Sequence, residues 1–394
     1  MRKVLILNGS HSEIPLILAA KRLGFFVITT GNAVDLPGHR LADQYEYQDF
    51  SDHEAIFRLA EAHDVSSICS CANDAGILSA AYAAEKLALR GHDGYQLTKK
   101  LHLKNSFKIL AREVGIRTAD SYEASSQKEA ELILDNVDLP VLVKPVDAGG
   151  GSKGISVLTS RVSATDRVHH AFSSSKSKRV LIEEYIEGSH HSCSMFLVGG
   201  RVINFYSDDE HGVYNPLKVT FSVGPATNID VVSSTLINWA ETLSRKFSLV
   251  DGVLHFQYIY NRDGPCVIEV TRRCSGDIYS TPVSLALGFD WAEWLVRAES
   301  GLDCTRMPRR HQRGIFGRFC ILAPSNGVIE SISISADLKN FCEYEILQVL
   351  RPGDLVTDHE NQKVAVIVLN FKNDLDRTSI TRQMQRLVHI RMTD

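Results

Sequence analysis

Lys144 stands inside an otherwise apolar strand, VLVKP. An ammonium on a buried strand is costly unless it meets a negative group. A phosphate is one such group; an edge-strand lysine reaching water is the plainer alternative. The run that follows, Ala148–Gly154 (AGGGSKG), favours the first. Glycines let successive backbone N–H groups converge on an anion without a side chain in the way, and Lys153 adds charge. The run is not a Walker A loop, which would need GK[ST] opening a helix. Here Gly154 leads into ISVL, a strand signal. Further on, Glu269 lies on a strand that ends in Arg272 and Arg273. Period-two geometry puts Glu269 and Thr271 on one face, and Arg273 continues the alternation if the strand stays extended. A carboxylate beside neutral oxygens suits a hard divalent cation. A guanidinium fork suits a carboxylate or phosphoryl oxyanion, or a structural salt bridge.

These residues need strands to hold them. Val141–Pro145, the glycine run and Ile155–Leu158 read as strand, loop, strand. Before them come a helix over Leu97–Val114 closed by Gly115, a strand near Ser121–Ala124 and a helix near Gln127–Asn136. Val180–Tyr185 opens a meander through Arg201–Tyr206 and Leu217–Phe221. Gly252–Tyr260 and Pro265–Thr271 form a hairpin around Asn261–Gly264, a good turn sequence. Helices are expected at Val232–Phe247 and Trp291–Ser300. From about 306 a strand-rich tail follows, with a helix near Thr378–Leu387. The first 97 residues alternate strands (Lys3–Leu7, Phe25–Thr30, Ser67–Ser70) with helices (Ile14–Leu23, His53–His63, Ala75–Leu89). That order implies a doubly wound parallel sheet. Its first turn, GSHSEIP, is not GxGxxG, so it is expected to pack on its neighbours rather than form a tight nucleotide site.

The bulk numbers exclude several classes. A chain of 394 residues is long enough for two or three domains. A formal net charge of -4 argues against nucleic-acid or membrane-surface binding in bulk. No apolar run approaches the roughly 20 residues that span a bilayer, and MRKVLILNGS lacks the apolar core and cleavage site of a signal peptide. The 8 cysteines form no CxxC pair and no zinc-finger spacing. A reducing, cytoplasmic setting is expected.

Three segments in fixed order, Val141–Leu158, Leu181–Val202 and Leu254–Asp277, resemble the ATP-grasp superfamily of carboxylate–amine ligases. The resemblance runs from about Leu103 to Asp277. It implies an ATP-grasp fold, two α+β lobes around an ATP cleft, behind the doubly wound sheet. The expected domains are 1–97 (Rossmann-like), 98–182 (lobe with the glycine loop), 183–305 (lobe with the cation and substrate strands) and 306–394 (strand-rich, packing on the second lobe). Lys104 falls on a phosphate-binding basic residue, although Leu103 replaces the usual preceding Asp. Lys144 and the loop Gly149, Gly150, Gly151, Ser152 and Lys153 would hold phosphates. Glu183, Glu184, Tyr185 and Ile186 resemble the adenine linker, and His190 stands where relatives hold the ribose with an acid. Glu269 matches the Mg²⁺-bridging Glu. Gln257 and Thr271 stand where relatives carry a carboxylate and Asn, so they offer neutral oxygens. Arg273 falls on the arginine that binds substrate carboxylate or acyl phosphate. Lys144, Glu269 and Arg273 form the expected catalytic set.

The resemblance implies ATP and Mg²⁺, or Mn²⁺ in its place, as cofactors. The expected reaction activates a small-molecule carboxylate as an acyl phosphate and couples it to an amine. The partners are then the acid and the amine, with no nucleic acid and no membrane; a homodimer is compatible. Two alternatives stand beside it. One is an ATP-dependent carboxylase or phosphoryl-transfer enzyme of the same fold. The other is a nucleotide-binding module with degraded catalysis, suggested by Gln257 and Thr271.

Overall fold

The computed structural model describes residues 1–147 and 154–393, and all their side chains except those of Arg382 and Gln385. Four strands, β1 (Lys3–Leu7), β2 (Phe26–Gly31), β3 (Gln44–Tyr47) and β4 (Ser67–Ser70), form a parallel sheet in the order β3-β2-β1-β4. The expected N-terminal architecture is present; β3 was not expected from the sequence, because QYEY carries little apolar signal. A second sheet contains β5 (Ser121–Ala124), β6 (Val141–Pro145), β7 (Ser156–Leu158) and β8 (Val180–Glu184), ordered β5-β8-β6-β7.

The largest sheet has eight strands. β9 (Ser189–Val198), β10 (Arg201–His211), β11 (Phe221–Gly224), β12 (Gly252–Asn261) and β13 (Gly264–Thr271) belong to it. So do β14 (Ile315–Leu322), β16 (Cys342–Gln348) and β18 (Lys363–Phe371), in the order β13-β12-β9-β10-β11-β14-β18-β16. A small sheet of β15 (Gly327–Ile334), β17 (Leu355–Val356) and β19 (Val388–Thr393) completes the C-terminal region.

Alternation sorts the two faces of the large sheet. Leu254, Phe256 and Tyr258 of β12, with Cys193, Met195 and Leu197 of β9, bury against the helix Ile229–Phe247. That helix presents Val232, Leu236, Ala240 and Leu243 at helical spacing. The opposite face is apolar at one end, where Phe196 meets Trp291 edge-on at 5.5 Å. There Val4, Ile6 and Val27 of the N-terminal sheet share one core with Phe196, Tyr206 and Trp291. Elsewhere this face carries His190, Ser192, His255 and Gln257. The first 97 residues are thus docked on the large sheet.

Four expectations need correction. The helix expected over Leu97–Val114 is two helices, Tyr95–His102 and Lys104–Glu113, parted by Leu103 at φ −84°, ψ 119°. Neither Pro nor Gly marks the break; its effect is to start a new helix at Lys104. The strand expected at Leu217–Phe221 begins at Phe221. The C-terminal region does not merely pack on the second lobe: β14 pairs with β11, so the sheet runs through it. A lobe boundary between 182 and 183 would also cut β8 in its middle.

One buried carboxyl joins these layers. Glu299, at the end of the helix Trp291–Glu299, accepts the Ser70 N–H of β4 at 2.7 Å. Burial pushes its pKa up to about 8. The sign follows by linkage: a raised folded pKa gives stability that is full below the unfolded value and is lost as pH rises towards 8. At pH 7 that loss is on the order of 3 kcal/mol. Glu299→Gln keeps an acceptor and does not titrate. Its melting temperature relative to wild type is expected to rise steadily between pH 5 and 8; a constant difference would mean that Glu299 titrates normally.

Candidate active site

The sheets enclose a cleft of about 660 Å³. Among the residues expected at a site, Lys104, Lys144, Glu183, Glu184, Ile186, His190, Gln257, Glu269, Thr271 and Arg273 line it. Tyr185 does not; its N–H bonds the Pro140 carbonyl at 3.3 Å. Gly149, Gly150, Gly151, Ser152 and Lys153 lie outside the described residues.

Lys144 projects from β6 and is almost wholly buried, as its strand requires. Its partner is Glu183 of β8, at 2.8 Å. The ammonium thus already has an anion within the protein, and the Glu183 carboxylate serves that ion pair. A second lysine, Lys108, reaches the same oxygen at 2.7 Å and also bonds the Ala119 carbonyl at 2.8 Å. Burial would raise the Glu183 pKa, but Lys144 and Lys108 outweigh it and hold the carboxyl below its usual range. Burial, with repulsion from Lys144, lowers the pKa of Lys108 despite Glu183.

Lys104 and Lys108 are one helical turn apart, so both face this region. Lys104 makes no ion pair within 4.0 Å among the described residues. Its pKa is raised chiefly by the Glu269 carboxylate, against burial. It is therefore a cation in the cleft with no direct ion-pair partner among the described residues.

Glu269 owes its aim to a bulge. Gln257 pairs with Glu269, while Tyr258 pairs with Val267. Ile268 is the extra residue, so Ile268 and Glu269 both face the cleft, while Val267 and Val270 point to the helix side. Glu269 makes no ion pair or side-chain hydrogen bond among the described residues. Across the pair, Gln257 Nε2 lies 3.1 and 2.9 Å from the two oxygens of Glu210. Thr271 Oγ1 donates to the Arg273 carbonyl at 3.3 Å, which leaves its lone pairs unused. Among the described residues no group of three or more His, Cys, Asp or Glu could hold a metal alone. An unpartnered carboxylate beside an amide and a hydroxyl oxygen nevertheless fits a hard cation that keeps several waters.

Arg273 reaches Asp74 of the N-terminal region, with both Nε and Nη2 at 2.8 Å. Burial works against its charge, and Asp74 and Glu269 outweigh it. Asp74 is held well below the usual carboxylate range: burial raises its pKa, and Arg273, His102 and Lys104 overcome that. His255 sits between Ser194 at 2.8 Å and Ser275 at 3.0 Å. Burial, then Arg273 and Arg318, lower its pKa to about 3, so the imidazole is neutral. Adjacent His191 points to the other face, stacked on Tyr258.

Further residues complete the cleft. Asp277 gathers His11 at 3.1 Å, Lys363 at 3.2 Å and Arg318 at 3.9 Å. Its backbone and that of Ile278 are left-handed, at φ 57° and 53°. A β-branched residue held there stores on the order of 1–3 kcal/mol of strain. Ser10, His11 and Ser12 come from the turn after β1, Arg318 from β14 and Lys363 from β18. The N-terminal sheet therefore contributes to the cleft as well as packing. Two signals for the missed groups exist in the sequence: Lys108 follows Lys104 by four residues, and SDDEH places three acids in a strand.

Residues 103–278 match the ATP-grasp (A) domain of phosphoribosylglycinamide synthetase. The matched stretch, a little under half of the chain, is similar to an ATP-grasp domain. A formate-dependent phosphoribosylglycinamide formyltransferase from Bacteroides thetaiotaomicron is 26% identical over 200 residues, 48% of each protein. The chain thus spans about half the length of the formyltransferases it matches. An L-amino acid ligase from Bacillus licheniformis has the same fold, with TM-score 0.82 and 17% identity over 100% of this chain and 99% of that one. The biotin carboxylase domain of the Hydrogenobacter thermophilus 2-oxoglutarate carboxylase gives TM-score 0.79 and 17% identity, covering 100% and 92%. No helix among the described residues is long and apolar enough to cross a membrane.

Proposed function

We propose that the protein is an ATP- and Mg²⁺-dependent ligase that activates a small-molecule carboxylate and couples it to an amine, releasing ADP and phosphate. The observation that carries this reading is one cleft lined by Lys104, Lys144, Glu269 and Arg273. Among the described residues, a cation without a direct partner, a cation shared with Glu183, an unpartnered carboxylate and a guanidinium fork supply electrostatics rather than a nucleophile. The work left to the protein is positioning.

Lys104 and Lys144 would face the ATP phosphates. Glu184 and Ile186 would lie along the base and His190 near the ribose. Asp74 fixes the plane of Arg273, which leaves one edge of the guanidinium for the acid substrate. Asp277, ionised and exposed to the cleft, can accept a hydrogen bond from an incoming amine. Glu269, Gln257 and Thr271 would hold Mg²⁺, which when bound offsets phosphate charge. In this reading the N-terminal sheet, the β5-to-β8 sheet and the large sheet with its C-terminal strands meet around the site.

The test combines calorimetry of ATP binding with phosphate release from acid and amine pairs, bicarbonate included among the acids. Lys144→Met leaves Lys108 and Glu183 as a balanced pair, so it should fold. It is expected to weaken ATP binding at least tenfold. Absence of ATP binding to the wild type would overturn the reading. Turnover with bicarbonate alone would replace the amide-forming reaction by carboxylation.

A further inference from the structure

The apolar lining of the cleft falls into two groups. Ile186, Ile259 of β12 and Ile268 of β13 pack together at the end proposed for the base. Leu217 and Val219 also line the cleft, but they come from the connection between β10 and β11. β11 lies three steps across the sheet from β12 and four from β13. At about 4.8 Å per step that is roughly 14–19 Å. A base held by the first group does not reach the second.

The connection is a folded loop. Asn215-Pro216-Leu217-Lys218 is a turn in which the Lys218 N–H donates to the Asn215 carbonyl and the Leu217 N–H to Asn215 Oδ1, each at 2.9 Å. The Thr220 N–H reaches the His211 carbonyl at 3.0 Å and closes the loop. Tyr214 stacks on Phe319 of β14, with ring centroids 6.1 Å apart. Lys218 then ties the loop to the segment before β18. Its ammonium donates to the Glu360 carbonyl and to Asn361 Oδ1, the latter at 2.6 Å. Asn361 is held in turn by Asp358, whose carboxylate oxygens accept from its Nδ2 at 2.9 and 3.1 Å. The same segment delivers Lys363 to Asp277 at 3.2 Å. Burial, then Lys363, lower the Lys218 pKa, and Asp358, Glu360 and Asp277 oppose them. Lys218 is thus within electrostatic reach of both Lys363 and Asp277, so the loop and that carboxylate share one end of the cleft.

We propose that the loop 212–220, latched by Lys218, is the wall that selects the second reactant, a primary amine with an apolar substituent. The amine nitrogen meets Asp277, and the substituent packs on Leu217 and Val219. This deepens the ligase reading and rests on it only for calling the ligand the attacking amine.

The probes are methylamine, propylamine and isobutylamine, titrated into the full-length protein without nucleotide and followed by NMR saturation transfer. Each buried CH₂ is worth about fourfold in affinity, so isobutylamine is expected to bind at least tenfold more tightly than methylamine. Leu217→Ala with Val219→Ala should remove most of that preference and leave methylamine within twofold of wild type. Asp277→Asn should weaken all three amines by a similar factor. The latch has a readout that needs no ligand: Lys218→Met should raise chymotryptic cleavage after Tyr214 at least fivefold, with Lys218→Arg close to wild type. ATP affinity, by calorimetry, should stay within twofold of wild type in every loop variant. A preference for the larger amine that survives the double variant, or unchanged cleavage in Lys218→Met, would overturn the proposal. So would a tenfold loss of ATP affinity in Lys218→Met, which would assign the loop to the nucleotide. Equal affinity for all three amines in a protein that binds ATP would remove the proposal and leave the ligase reading standing. Size-dependent amine binding in a protein that does not bind ATP would keep the amine site and remove the ligase reading.

Discussion

Glu269→Gln is expected to lower phosphate release by about 10²–10³, the cost of removing one electrostatic group at a charged transition state. The fold should survive. Glu269 makes no ion pair or side-chain hydrogen bond among the described residues, so its amide leaves no partner stranded. Neither Val267 nor Val270, which anchor the strand in the helix-side core, is disturbed. The loss should therefore appear in kcat with little change in melting temperature. Lys104 offers a further check, because Glu269 is the main group raising its pKa. Replacing the carboxylate should lower that pKa, a change visible by NMR of labelled lysine. Near-normal turnover in Glu269→Gln would place the cation elsewhere.

Glu183→Gln is expected to have the largest effect on stability. The wild-type group is one carboxylate between two buried ammoniums, at 2.7 and 2.8 Å. Neutralising it leaves Lys108 and Lys144 facing each other across an amide. Removing one side of a buried ion pair costs about 3–5 kcal/mol, a large part of a typical stability. Lys108→Met should cost less, because one lysine still balances the acid. Denaturant unfolding decides the point. A Glu183→Gln protein as stable as wild type, and less affected than Lys108→Met, would show that the lysines discharge rather than repel. The depressed Glu183 pKa has its own sign: its stabilisation holds above the unfolded carboxyl value and disappears as acid titrates the folded one.

What the sequence made legible was local. Lys144 in VLVKP is read correctly as a lysine on a buried strand, because four apolar neighbours define the strand. Glu269 and Thr271 share a face, as a period of two requires. The bulge at Ile268 does not announce itself, and it is the bulge that turns Glu269 to the cleft while Val267 stays in the core. The partner of Lys144 was beyond reach for a different reason. It depends on β6 lying antiparallel to β8, so that Lys144 sits opposite Leu181 and beside Glu183; no local pattern encodes that register. Asp74 is the same case across a longer separation. It caps no motif, and only the docking of the N-terminal sheet brings it to Arg273. The break at Leu103 had no local signal either, although it is what sets Lys104 at a helix start.

The continuity of the large sheet bears on how this molecule can be divided. The stretch matched by the family description ends at residue 278, but the sheet does not end there. Beyond β11 the row of hydrogen bonds passes to β14, Phe221 facing Phe319 and Val223 facing Gly317. A fragment stopped at 278 would expose β11 as an open edge, with unpaired backbone donors and acceptors and two large apolar side chains released from their cover. Such an edge is a template for chain-to-chain association. The recognisable module is therefore not an excisable one: its sheet edge is covered by strands that arrive some forty residues after the resemblance has ended.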